Sequence, residues 1–166
     1  MKARNKINNL SKCLIVLIFM LIAYPLSARF DTSNYKDNDI LSVSINDKNL
    51  SLLIAKSNAA RAKGLGERVI IPKDGMIFFF ENPQRLIFWM KGMFFSIDIV
   101  WISDDRIVGF VESAKPEIGI SDANLKRYSS PSNADTVIEL KNGAVKDLGI
   151  KVGDKIIIEN SNKSAT

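Results

Sequence analysis

The chain has 166 residues, is 46% hydrophobic and 25% charged, and carries a formal net charge of +5 with no histidine and one cysteine. That size and balance suit one globular domain plus a leader. The absent histidine excludes Ser-His-Asp and Cys-His nucleophile systems and histidine-based zinc sites. A lone Cys13 leaves no intrachain disulfide, so stability has to come from an apolar core.

The charge is unevenly placed. Residues 1–28 hold Lys2, Arg4, Lys6 and Lys12 and no acid, while the other 138 residues carry 19 basic and 18 acidic side chains. Without a basic stripe on the folded part, nucleic-acid binding loses its compositional support. The basic start, the apolar run from Cys13 to Tyr24 and the following Pro25-Leu26-Ser27-Ala28 have the layout of a secretory signal peptide. Cleavage is expected after Ala28. The alternative is an uncleaved anchor formed by residues 13–24, with its lysines holding the N-terminus in the cytoplasm. Both place the domain outside the cytoplasm, periplasmic or secreted, and the leader is the only part expected to meet a membrane.

Residues 29–39 are polar and aperiodic, which predicts a flexible spacer. Leu41, Val43 and Ile45 then alternate with polar residues, the mark of a half-buried strand. A turn at Asn46–Asn49 leads to a return strand over Leu50–Ala55. Ser57 suits the N-cap of a short helix over Asn58–Lys63 ending at Gly64. Further strands are predicted over Met76–Phe80, Ile107–Val111, Thr136–Leu140 and Lys155–Ile158, with a long polar loop over Pro116–Pro131 and a helical turn over Gly143–Leu148. The apolar runs Leu86–Met90 and Ile97–Ile102 flank Lys91, Gly92 and Ser96 and read as two buried strands of one hairpin. Many short strands without a long amphipathic helix predict a mainly β, compact antiparallel sandwich or barrel over residues 40–159, followed by a disordered tail at 160–166.

Several short motifs occur in a fixed order. They are Arg61-Ala-Lys-Gly64-Leu65-Gly66-Glu67-Arg68, Pro72-Lys-Asp74-Gly75-Met76-Ile-Phe78, Phe88-Trp89-Met90-Lys91, Ile97-Asp98-Ile99, Lys115-Pro116, Val137-Ile138-Glu139-Leu140, Lys141-Asn142-Gly143 and Gly149-Ile150-Lys151-Val152-Gly153-Asp154. Over roughly residues 40–159 the chain resembles the domain of unknown function family 192. The resemblance implies a compact, jelly-roll-like β domain, commonly behind an export signal, and implies no established activity. Three places depart from the family pattern. Gly92-Met93 stands where Asn-Thr is usual, Gly64-Leu65-Gly66 where Gly-Leu-Met is usual, and Tyr128-Ser129-Ser130-Pro131 lacks a cysteine often found there.

The polar residues inside apolar runs are the site candidates. Lys91 and Asp98 read most simply as an ion pair, or as a carboxylate bonded to backbone, closing the hairpin. The functional reading makes Trp89, Lys91 and Asp98 a ligand-facing group, joined by Arg61 and Arg68 around the Gly64–Gly66 loop. Glu139 sits among Val137, Ile138 and Leu140, and alternation predicts that it faces solvent. If it shared a cavity with Asp98, two carboxylates could serve glycosidic hydrolysis. Two functions follow: a non-catalytic binding or envelope-associated module for a small molecule, glycan or envelope protein, or a hydrolase or lyase using Asp98, Glu139 and Lys91. No nucleophile system, metal site, cofactor motif or phosphate loop is assembled in the sequence.

Overall fold

The computed structural model of the chain describes residues 30–159, so the expected leader and the expected tail lie outside the described residues. Among the described residues nine strands and two short helices follow one another: β1 Ile40–Ile45, β2 Lys48–Ala55, α1 Asn58–Lys63, β3 Gly75–Gln84, β4 Ile87–Phe88, β5 Ile97–Ser103, β6 Arg106–Ala114, β7 Tyr128–Ser129, β8 Ala134–Lys141, α2 Ala144–Asp147 and β9 Ile156–Glu159. The predicted strands and both helices are present, within a few residues of the expected bounds. Seven strands form one curled sheet in the order β6-β5-β8-β3-β2-β1-β9, and β4 pairs with β7 in a second, two-stranded sheet. The fold is mainly β, as the pattern of short strands implies.

Two expectations of pairing need correction. Leu86–Met90 and Ile97–Ile102 do not form a hairpin. β4 pairs with β7 through Ile87↔Ser129 and Phe88↔Tyr128, whereas β5 lies between β6 and β8. The connection between them belongs elsewhere: the Glu67 amide donates to the Gly92 carbonyl at 2.7 Å, stapling it to the loop after α1. The sheet is also not wholly antiparallel, because β2 and β3 run parallel from Leu52↔Gly75 to Ala55↔Phe78. α1 and the loop after it carry the chain across between those two strands, as a parallel pair requires.

The segment expected as a spacer is tied to the domain from residue 30 onward. Phe30 and Tyr35 pack on the core. The Asp37 carboxylate accepts from the Lys56 and Ser57 amides, and its bonds to Ser57 hold it below the ordinary carboxylate range. Asn38 and Asp39 exchange backbone bonds with Ile54.

Both faces of the sheet are covered. On one, Val43, Leu52, Ile77, Val100, Ile138 and Leu140 join a core that Val145 and Ile150 plug at one end. On the other, Met76, Phe78, Ile99, Trp101 and Val137 pack under Leu65, Met90 and Met93. The alternation along each strand thus divides two cores rather than a core from water. The far strands of the sheet come together at an Arg106↔Lys155 bridge, with Lys155 paired to Asp105 at 3.1 Å.

Candidate functional site

Glu139 lies on the second core face of β8 beside Val137, in register with Ile99 on β5 and Met76 on β3. Contrary to the expectation of a solvent-facing glutamate, it is 5% exposed. Its Oε2 is buried without a hydrogen-bond partner. Burial among apolar neighbours disfavours the charged form and pushes its carboxyl from the ordinary 4.5 to about 8. Glu139 lines an open cleft of about 250 Å³.

The cleft walls come from two segments that the Glu67–Gly92 bond holds together. One is the C-terminal end of α1 with the loop Gly64-Leu65-Gly66; the other runs from Phe88 through Trp89 to Met93. The approach is close: a Cβ on Gly66 would stand 3.1 Å from the Lys91 carbonyl. Gly92 turns the chain at φ +66, a left-handed geometry that glycine adopts without strain. Ser57 caps α1, its hydroxyl accepting from the Ala60 amide at 3.1 Å. Phe78, Phe80 and Phe88 add aromatic walls, with Phe78 and Phe88 edge to face at 5.2 Å.

The candidate residues divide into three groups. Trp89, Lys91, Arg61 and Glu139 line the cleft. Trp89 is 44% exposed, and Arg127 from the long loop lies over its ring at 4.0 Å. Lys91 pairs with Asp122 at 2.5 Å on the surface, not with Asp98. Arg61 is held in place by the carbonyls of Lys56 and Phe79 and stacks on Phe80 at 4.8 Å.

Arg68 lines a different hollow, shared with Asp37, Ser57 and Met76. Asp98 lines neither, being fully buried. Its Oδ1 accepts from the Ser113 amide at 2.8 Å and its Oδ2 from the Val145 amide at 2.9 Å. Ser113 has φ +55 and sits where the β5–β6 register shifts between Ile97↔Ala114 and Ile99↔Val111, so one oxygen closes a bulge. The other serves the first turn of α2, whose N-cap Gly143 has no side-chain cap. Among the described residues no group of three or more Cys, Asp or Glu stands together to hold a metal ion.

The model of the family DUF192, "Uncharacterized ACR", matches residues 41–158. The chain belongs to this family. No curated protein matches it. Two solved structures share the fold. A protein of unknown function from Novosphingobium aromaticivorans is 26% identical with a TM-score of 0.60, over 71% of this chain and 83% of that one. A protein from Sinorhizobium meliloti, provisionally described as a transcription regulator, is 26% identical with a TM-score of 0.65, over 75% of this chain and 98% of that one.

Arg127 and Phe80 had no functional signal in the sequence, and the candidate Glu139 was expected to face solvent. Arg127 reaches Trp89 from a loop without periodicity. Phe80 closes the predicted strand Met76–Phe80, where nothing sets it apart from Phe78 and Phe79. Glu139 follows an alternation that here leads from one core to the other.

Proposed function

We propose that this family member is a non-catalytic binding module that works outside the cytoplasm and takes a small molecule in the cleft between the Gly64–Gly66 loop and the Phe88–Met93 segment. The carrying observation is the cleft itself: a half-exposed Trp89 beside Phe80 and Phe88, over a floor with one buried polar group. A concave site with apolar and aromatic walls and a small number of convergent polar groups is the usual form of a small-molecule site. Support for export is the signal-like layout of residues 1–28. A glycan or envelope protein would meet the same aromatic surface.

The hydrolase or lyase reading needs Asp98 and Glu139 in one cavity. Asp98 lies on the opposite face of the sheet from Glu139, with both oxygens engaged by amides, which leaves Glu139 as the single carboxyl of the cleft. Lys91 at the rim is engaged by Asp122. The geometry therefore favours binding over two-carboxylate hydrolysis.

Intrinsic fluorescence tests the binding reading on the chain from residue 29. Trp101 is buried and Trp89 faces the cleft, so a ligand should change the Trp89 emission saturably. The change should vanish in a folded Trp89→Phe variant. A flat response across neutral sugars, amino sugars and envelope peptide fragments would remove the reading.

A further inference from the structure

We infer that the Glu139 carboxyl is the polar anchor of the cleft, and that the ligand is an uncharged molecule of about one ring that offers an amide or hydroxyl to it. This rests on the binding reading of the cleft. Buried polar side chains are almost always hydrogen-bonded, yet Glu139 Oε2 is buried, unpartnered and placed at a cavity. A ligand polar group arriving there would satisfy it.

The rest of the cleft restricts what that group is. The groups flanking Glu139 across the sheet are the apolar Met76 and Ile99, and Leu65, Phe78 and Met93 complete the floor. The titratable groups on the walls are Arg61 and Lys63 from the α1 side and Lys91 from the opposite side, all cationic. Their field disfavours a cationic head. Arg61 is bound to carbonyls and Lys91 to Asp122, which leaves Lys63 alone on the wall to meet an anionic head, over an apolar floor that resists a bare charge. A neutral head remains.

Burial holds the carboxyl protonated at neutral pH, so it offers one donor and one acceptor. That is the complement of an amide, and a hydroxyl matches it in part. A volume of about 250 Å³ falls below the range typical of drug-sized ligands, which limits the molecule to roughly one ring. Trp89, whose ring already carries the Arg127 guanidinium on one face, and Phe88 line the cleft and give such a ring aromatic surface to pack against.

The test uses NMR titration of the chain from residue 29 with three probes: N-acetylglucosamine as the uncharged ring with an amide, benzylamine as a cation and benzoate as an anion. N-acetylglucosamine is expected to shift cleft resonances, including the Trp89 indole, more than either charged probe. Glu139→Gln, which keeps a neutral donor and acceptor, should stay within about threefold of the wild type. Glu139→Leu should weaken binding about tenfold, the loss of one buried hydrogen bond. Affinity of the wild type should fall at least about tenfold between pH 7 and pH 9.5, while that of Glu139→Gln stays level.

Preferred binding of benzylamine, abolished in Glu139→Gln, would overturn the inference by making the carboxylate a counter-ion. Preferred binding of benzoate, or binding of N-acetylglucosamine unchanged by Glu139→Leu, would overturn it too. In the last case a loss in Trp89→Phe would leave the binding reading standing. Silence with all three probes would count against both.

Discussion

Asp98 and Glu139 sit on adjacent strands, one residue apart in register: Asp98 faces Leu140 and Glu139 faces Ile99. Both are buried in a mainly apolar sheet, and they are treated in opposite ways. Asp98 receives one backbone amide on each oxygen, from a bulge in β6 and from the first turn of α2. Glu139 receives none on Oε2 and opens on the cleft instead. A buried carboxylate with two amide donors holds a fold together, whereas one without a partner weakens it. The contrast separates scaffold from site within about one residue of sheet register.

The largest effect should come from breaking the satisfied member. Asp98→Ala strands the Ser113 and Val145 amides in the core and leaves α2 without its remote cap. A loss of about 3–5 kcal/mol is expected, read as a fall in Tm of roughly ten degrees or more. A folded Asp98→Ala variant of unchanged Tm would remove the scaffold role.

Next comes the backbone that carries Glu139. Gly75 has φ +150, and a Cβ there would lie 2.0 Å from the Glu139 carbonyl oxygen. Gly75→Ala must push β3 and β8 apart, at a cost of about 2–3 kcal/mol. It should also disturb the cleft, seen as a changed Trp89 emission. Loss of stability without any change at Trp89 would show that the cleft does not depend on this close packing.

Glu139 itself should move stability the other way. Glu139→Leu replaces an unpartnered carboxyl by an apolar side chain of similar length, with an expected gain of about 1–3 kcal/mol in denaturant unfolding at pH 8. The pH dependence has a definite sign. The folded carboxyl titrates near 8 and the unfolded one near 4.5, so between those values the folded state holds the extra proton. The stability of the protonated form is fully present below about pH 4.5 and is lost as pH rises towards 8, at up to about 1.4 kcal/mol per pH unit. Glu139→Gln should flatten that slope. An unchanged slope would mean that the carboxyl is satisfied in solution.

Much of the scaffold could be read before the structure. Alternation at Leu41–Ile45, the Ser57 cap with Gly64 after the helix, and the turn clusters located most elements, because local periodicity and turn chemistry are local properties. Partners were not legible. Nothing in Phe88 or Ile97 says that the first pairs with Tyr128 and the second with Lys141, since alternation states which way a side chain faces and not which strand lies beside it. The same limit applies to the two carboxyls. That Asp98 needed satisfying, by an ion pair or by backbone, was evident; that the amides of Ser113 and Val145 supply it was not, because amides carry no sequence mark. Glu139 was assigned to solvent because alternation assumes one wet face, and the sheet has none at β8.

The smallest effect belongs to the rim. Lys91 and Asp122 make an exposed pair, with side chains 55% and 62% accessible, and such pairs contribute roughly 0–1 kcal/mol. Lys91→Ala should therefore leave Tm within about two degrees of the wild type. If Lys91 supplies only part of the positive field of the cleft, the variant should admit benzylamine more readily than the wild type while leaving N-acetylglucosamine affinity nearly unchanged. A large loss of the neutral probe would instead give Lys91 a direct bond to the ligand, and the rim would then belong with Glu139 in the site rather than with the solvated surface.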